Sequence, residues 1–176
     1  MNNSKTKILI TGGFGYVGSK LCQFLSKNGY NISIIDNLLQ KNFNKKLLSK
    51  SVNFYNIDVN DYKKLSQNLN KVKYDIVIHL AAIVGDPASK MFPKLTVDTN
   101  LKASKNLFKL CIKNKVKKFI FFSTCSNYGL STGSMLLKEK SPLKPLSIYA
   151  KTKVDFEKFL LKDKNKISKI ILRIST

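Results

Sequence analysis

The stretch Thr11-Gly12-Gly13-Phe14-Gly15-Tyr16-Val17-Gly18 constrains this chain more than any other, because it follows the apolar run Ile8-Leu9-Ile10 directly and opens an amphipathic segment. A strand that turns at once into a helix needs positions without side chains, where the backbone bends tightly and approaches another group closely. Two glycine spacings coexist, Gly13-x-Gly15-x-x-Gly18 and the wider Gly12-x-x-Gly15-x-x-Gly18. In either, free backbone N–H groups and the positive end of a helix dipole converge on the turn, an arrangement suited to a pyrophosphate. Gly12, Gly15, Tyr16 and Val17 are therefore candidate binding positions.

The rest of the chain alternates short apolar runs with helical periodicity. Runs over residues 7–11, 31–36, 52–58, 74–80, 118–123 and 168–174 are nearly continuous in apolar character, as parallel strands covered on both faces require. Residues 15–28, 61–70, 93–114 and 147–164 space apolar side chains by three and four, for example Leu101, Phe108 and Ile112, or Val154, Phe156, Phe159 and Leu160. Strands alternating with helices predict an α/β fold, a doubly wound parallel sheet with right-handed crossovers. Two long loops remain, 37–51 with an ambiguous helical piece at 43–48, and 124–146, rich in Ser, Gly and Pro and expected at the carboxyl edge of the sheet, where ligands bind.

Asp36 ends the second strand 18 residues after Gly18. A carboxylate there accepts hydrogen bonds from both adenosine ribose hydroxyls and repels a 2′-phosphate, which favours NAD over NADP. The following Asn37, Leu38 and Leu39 bring no cation before Lys41. Asp58 and Val59 border the adenine in this reading, while an Asp after a strand is equally an ordinary turn or capping residue.

Charge invites a different function. The 176 residues hold 32 Lys and Arg against 10 Asp and Glu, a formal +22, yet Arg173 is the only arginine and no basic block exceeds two residues. Without arginine forks or interleaved aromatics the lysines read as solvated faces, not as a nucleic-acid surface. Cys22, Cys111 and Cys125 form no Cys-x-x-Cys pair, and the lone His79 follows an apolar run, so no metal site is expected; His79 reads as a packed core histidine. No apolar run approaches the ~20 residues that cross a bilayer, and none follows Met1 as a signal segment. The expected setting is the cytoplasm, with no membrane partner.

Tyr149-Ala150-Lys151-Thr152-Lys153 opens a helix, and its i, i+4 spacing puts a phenol and an ammonium on one face. A fixed ammonium together with a cationic nicotinamide would stabilise a phenolate and bring a poor base toward neutral pH. Together with the glycine turn, this pair makes the chain resemble the extended short-chain dehydrogenase/reductase family, in its nucleotide-sugar epimerase and dehydratase branch. Asp36, Asp58-Val59, His79-Leu80-Ala81-Ala82, Asn100, Ser123-Thr124-Cys125-Ser126-Asn127-Tyr128-Gly129 and Leu172-Arg173 also carry the resemblance, almost end to end.

The resemblance implies a Rossmann fold binding NAD, with Tyr149 as catalytic acid/base, Lys153 lowering its pKa and holding the nicotinamide ribose, and Thr124 bonding the reacting sugar hydroxyl. It places Leu80, Ala81 and Ala82 along the cofactor, Ser123 beside the nicotinamide, and Asp36, Asn37, Asp58, Val59 and Asn100 among the cofactor-binding residues. Dehydratases of the branch follow the threonine with an Asp-Glu pair, and here Cys125 and Ser126 stand in those places. A 4-epimerase acting on a nucleoside-diphosphate sugar is the first reading; a dehydratase, a ketoreductase or a non-catalytic NAD-binding fragment are the alternatives. The resembling enzymes continue past Leu172-Arg173 with a segment that grips the nucleotide sugar, so a C-terminally truncated chain, one NAD-binding domain over residues 1–176, is expected. The resemblance also implies a homodimer paired through residues 93–114 and 147–164.

Overall fold

Six strands, rich in β-branched and aromatic residues, pair side by side and all in the same direction. A computed structural model of the protein describes residues 6–39, 52–130 and 136–175. The order is β1 (Lys7–Thr11), α1 (Tyr16–Lys27), β2 (Asn31–Asp36), β3 (Val52–Asn56), α2 (Tyr62–Lys71), β4 (Ile76–His79), α3 (Asp86–Met91), α4 (Pro93–Val97), a π-helical segment (Asp98–Ala103), α5 (Ser104–Lys113), β5 (Lys118–Thr124), a 3-10 turn (Cys125–Tyr128), α6 (Ile148–Lys162) and β6 (Ser168–Ile174). The sheet runs β3-β2-β1-β4-β5-β6, with every pair parallel. Strand order reverses between β1 and β4, and in such sheets that is where a crevice opens beyond the carboxyl ends.

Alternation along β1 sends Ile8 and Ile10 to one face and Leu9 to the other. The first two pack with Phe14, Cys22, Ile32, Ile34 and Ile78 beneath α1. Leu9 joins the larger core, where α5 and α6 deliver Leu107, Phe108, Phe156 and Leu160. Phe156 meets Phe121 edge-on at 4.7 Å between ring centroids, and Phe108 meets Phe119 at 5.1 Å. Such pairs add about 0.5–1.5 kcal/mol beyond the area they bury. Capping starts the helices where the polar residues fall: the Asp61 side chain accepts from Lys64 N at 3.0 Å, and Ser147 Oγ from Ala150 N at 3.1 Å.

Three strands match their expected bounds, and the departures have local causes. The run 52–58 ends as a strand at Asn56, because Asp58 Oδ1 accepts from Asn60 N at 2.8 Å and turns the chain. The run 74–80 is a strand only over Ile76–His79; Tyr74 instead bonds Asn68 Oδ1 at 3.0 Å. The single helix expected over 93–114 is interrupted by the π-helical segment, whose wider turns place Thr99, Asn100, Ala103 and Ser104 all in the interior. The short α3 lies in a stretch to which the sequence reading assigns no element. The helical piece at 43–48 lies outside the described residues. In the loop after β5, Lys144 N donates to Asn127 O at 2.9 Å, and Gly129, at φ +75°, passes so close to the Lys144 carbonyl that a Cβ has no room.

The glycine turn is the tightest part of the fold. Gly12 has φ +72°, and a Cβ on it would lie 2.6 Å from Ala81 N. A Cβ on Gly18 would run into the Gly12 carbonyl oxygen and the Gly13 backbone, neither of which can swing aside. Gly18→Ala should therefore lower the unfolding free energy by about 1–3 kcal/mol, the usual range for overpacking. Lys20→Ala, on the exposed face of the same helix, should stay within about 0.5 kcal/mol; urea unfolding of the two variants separates these outcomes.

Candidate functional site

A cavity of about 670 Å³ opens at the carboxyl ends of the strands, where their order reverses. Its floor is Gly12, Gly15, Tyr16, Val17 and Gly18; one wall is Asp36, Asn37, Asp58, Val59 and Asn60; Leu80, Ala81, Ala82 and Ile83 form the opposite wall. Its far end holds Ser123, Thr124, Tyr149 and Lys153, and Val84, Ala88, Phe92, Leu95 and Thr99 close the side toward α3 and α4. Of the sixteen distinct residues singled out from the sequence, the cavity gathers all but Asn100.

Gly15 tests whether this space suits a ligand. Gly12, Gly13 and Gly18 are glycines because the chain itself fills the space a Cβ would need, whereas a Cβ on Gly15 would meet only the Gly12 oxygen, at 3.3 Å. Its bare backbone lines the cavity at the N-cap of α1, where the helix offers N–H groups without intrahelical partners and a positive dipole end. Asp36 stands opposite, anchored by Phe14 N at 3.0 Å and Leu38 N at 2.8 Å, with acceptor capacity left on both oxygens. These residues fit a dinucleotide: N–H groups for a pyrophosphate, a carboxylate for a ribose.

Asp58 takes on the turn role in full. Its oxygens accept from Asn37 Nδ2 at 2.9 Å, Asn60 N at 2.8 Å and Asn60 Nδ2 at 2.9 Å, and Asn60 Nδ2 also reaches Thr99 Oγ1 at 2.9 Å. The group buckles the ends of β2 and β3 to the π-helical segment. Asn100 is buried behind the cavity wall, its amide clamped on the Ile83 backbone, accepting from Ile83 N at 2.8 Å and donating to Ile83 O at 2.9 Å. It shapes the wall; it does not line it.

His79 completes this scaffold. Ser104 Oγ donates its one hydrogen to Asn100 O at 2.8 Å, so it accepts from His79 Nε2–H, also at 2.8 Å. The bare Nδ1 then accepts from Thr11 Oγ1–H at 2.7 Å. The ring is fully enclosed, and burial, with the Lys153 charge adding, pushes its pKa down to about 3. It is a neutral strut between β1, β4 and α5.

At the far end, Tyr149 and Lys153 project from one face of α6, 9% and 3% exposed. Lys153 Nζ donates to Phe122 O at 2.9 Å and stands 4.7 Å over the Phe121 ring. Burial pushes its pKa down to about 7, and Glu157 opposes that. In the protein alone the phenol pKa of Tyr149 lies above its ordinary value. Burial raises it, a hydrogen bond with the Thr124 side chain works the other way, and the charges of Cys125 and Asp86 add to the rise. Lys153 is turned to the Phe122 carbonyl, and its ammonium is itself desolvated. Thr124 Oγ1 accepts from Ser126 N at 3.1 Å, which caps the 3-10 turn and aims the hydroxyl. Asn60 and Glu157 went unmarked in the sequence: an Asn in a turn and a Glu within a helix carry no motif.

A doubly wound sheet, a glycine turn at its switch point and a Tyr-Lys face beside the same cavity suit a dinucleotide with a phenol and an amine at one end. The chain belongs to the NAD dependent epimerase/dehydratase family, whose model matches residues 8–176. It is 31% identical over 170 residues to a UDP-glucose 4-epimerase of Schizosaccharomyces pombe, covering 92% of this chain and 48% of that protein. Among solved structures it is similar to the UDP-glucose 4-epimerase of Thermotoga maritima with UDP-glucose, with TM-score 0.88, 30% identity, and coverage of 96% of this chain and 55% of that one. It is also similar to the Thermus thermophilus UDP-glucose 4-epimerase in complex with NAD, with TM-score 0.88, 28% identity and coverage of 96% and 54%. The chain thus spans about half the length of these epimerases. Among the described residues, no helix is long and apolar enough to cross a membrane.

The depressed His79 pKa has a thermodynamic consequence. Between pH 6.5 and about 3 the unfolded chain binds a proton that the folded chain refuses, so this residue's contribution to stability is lost as pH falls through that window. Urea unfolding of wild type and His79→Gln should show the wild-type advantage shrinking by up to about 1.4 kcal/mol per pH unit below 6.5. Parallel stability profiles for the two proteins would contradict a histidine that stays neutral.

Proposed function

We propose that residues 1–176 form the NAD-binding and proton-transferring domain of a 4-epimerase acting on a nucleoside-diphosphate sugar. One observation carries the reading: Thr124, Tyr149 and Lys153 meet at one end of the same cavity whose other end is the glycine turn and Asp36. The N–H groups at Tyr16 and Val17, beside the bare backbone of Gly15, would hold the pyrophosphate, Asp36 the adenosine ribose, and Leu80, Ala81 and Ala82 the length of the cofactor. Asp58 and Val59 would border the adenine, the former through lone pairs its turn bonds leave free. Ser123 and Lys153 would sit at the nicotinamide end. NAD held there would supply a reversible hydride acceptor beside the sugar carbon that bears the reacting hydroxyl.

The protein's part is to move a proton and to orient. Thr124 bonds the sugar hydroxyl and holds it against Tyr149, whose oxygen takes the hydroxyl proton on oxidation and gives it back on reduction. A phenol raised by burial is protonated at neutral pH, so it needs positive charge nearby to act as base; the Lys153 ammonium and the oxidised nicotinamide provide it. Cys125 and Ser126, in the places of an Asp-Glu pair, supply no carboxylate for elimination, and Ser126 is occupied in the turn that aims Thr124. The reading carries with it a reducing, cytoplasmic setting, in keeping with three free thiols. It also carries pairing with a second copy along the groove of Val97, Leu101 and Ile148, between the helix starting at Pro93 and α6.

Tyr149→Phe should lower epimerisation of UDP-glucose by about 10²–10⁴-fold, the usual worth of a positioned proton-transfer group, and leave NAD affinity within about threefold. Turnover unchanged by this substitution would remove Tyr149 from the chemistry. Asp36→Ala should narrow the preference for NAD over NADP by at least about tenfold, since a fixed carboxylate facing a 2′-phosphate costs several kcal/mol; calorimetric titration with both dinucleotides checks it.

A further inference from the structure

Glu157 lies one turn beyond Lys153 on the face of α6 that already carries Tyr149, and it is 1% exposed. Its Oε1 accepts from Ser123 Oγ at 2.5 Å, Asn127 Nδ2 at 2.7 Å and Arg173 Nε at 3.1 Å; its Oε2 accepts from Arg173 Nη2 at 2.6 Å. Arg173 reaches onward through Nη1 to the Tyr128 hydroxyl and the Glu139 carbonyl, each at 2.9 Å. One carboxylate thus joins β5, the 3-10 turn, β6 and α6.

Stability alone is a poor reason for such a pair. Desolvating a carboxylate and a guanidinium costs several kcal/mol per ion, and apolar replacements of similar volume are often neutral or stabilising. The arrangement carries a second cost: Asn127 spends its amide on Ser123 and Glu157, and its buried Oδ1 has no partner among the described residues. What these costs secure is geometry. The hydrogen of Ser123 is committed to Glu157, so toward any ligand Ser123 offers only acceptor capacity. The end of β5 that carries Ser123 and Thr124 is tied to the helix face that carries Tyr149 and Lys153. The anion also lies beside Lys153, whose burial it offsets.

We propose that Glu157 is a positioning residue, which acts through Ser123 and Lys153 to hold the nicotinamide end of the cavity in its binding geometry while leaving the adenosine end untouched. The inference rests on the cofactor reading above. It separates two effects that a general structural role would not separate, because Asp36 and Gly15 stand at the end of β2 and the start of α1, and the Asp36 carboxylate is anchored there by Phe14 N and Leu38 N, whereas the Glu157 carboxylate is held by Ser123, Asn127 and Arg173.

The test is isothermal titration of wild type and Glu157→Gln with NAD and with ADP-ribose, which keeps the pyrophosphate and adenosine but lacks the nicotinamide. Glu157→Gln should lose tenfold or more in affinity for NAD and change by less than twofold for ADP-ribose. Equal losses for both ligands, or unchanged NAD affinity, overturn the proposal while leaving the cofactor reading in place. A wild-type chain that binds neither ligand overturns the cofactor reading and this proposal with it. Should Glu157→Gln fail to fold with Arg173 left unpaired, the double variant Glu157→Leu, Arg173→Met removes both charges together. The same separation between the two ligands is then expected, and its absence counts against the proposal.

Discussion

Backbone crowding where β1 and β4 end is the constraint on which the rest of the site depends. Gly12 passes so close to Ala81, and Gly18 to the Gly12 carbonyl, that a single methyl at either position has nowhere to go. That closeness brings the N-terminus of α1 directly over the reversal of strand order, so the helix dipole and the unpaired N–H groups point into a crevice that the topology has already opened. Gly13 is needed for a different reason, since Ile34 and Cys22 occupy its side-chain space from the core. Gly15 alone among the four is free of both demands, and it is the one left facing the cavity.

Around this crossing the fold builds its walls from polar struts. Thr11, His79, Ser104 and Asn100 connect the end of β1 to the Ile83 backbone through bonds of 2.7–2.9 Å. Asn37, Asp58, Asn60 and Thr99 do the same across the opposite wall. Both sets end on the π-helical segment, so the irregularity in that helix is the point at which the two walls are joined. A fully satisfied buried network rigidifies what it touches, whereas a half-satisfied one would be worse than an apolar core.

Much of this was legible in the sequence, and the limits of legibility have physical causes. β1, β2 and β6 are continuous apolar runs bounded by polar residues and keep the bounds read from sequence. The π-helical segment was invisible because apolar spacing through Leu101, Phe108 and Ile112 tolerates a widened turn without losing its rhythm. The helix α3 has only six residues, too few to show an apolar period, and Asp86 and Pro87 occupy its first turn. Asn100 carried the right motif and a different task, because sequence marks a residue as present without saying which way its amide faces. Spacing alone puts an ammonium near Tyr149 but says nothing of that ammonium's desolvation or of the carbonyl it bonds. Glu157 was lost among the charges of a lysine-rich helix, where an acid reads as solvated surface.

The close pass of Gly129 beneath the Lys144 carbonyl, with Lys144 N bonded to Asn127 O, closes the chain on itself on either side of residues 130–143. The residues that aim Thr124 and those that begin α6 are thereby held independently of whatever length of chain joins them. Because closing a longer loop costs only about 0.6 kcal/mol for each doubling of its length, a peptide tag inserted ahead of Leu137 would leave in place both this closure and the Glu139 carbonyl that Arg173 bonds, and with them the register of α6 and its neighbouring strand.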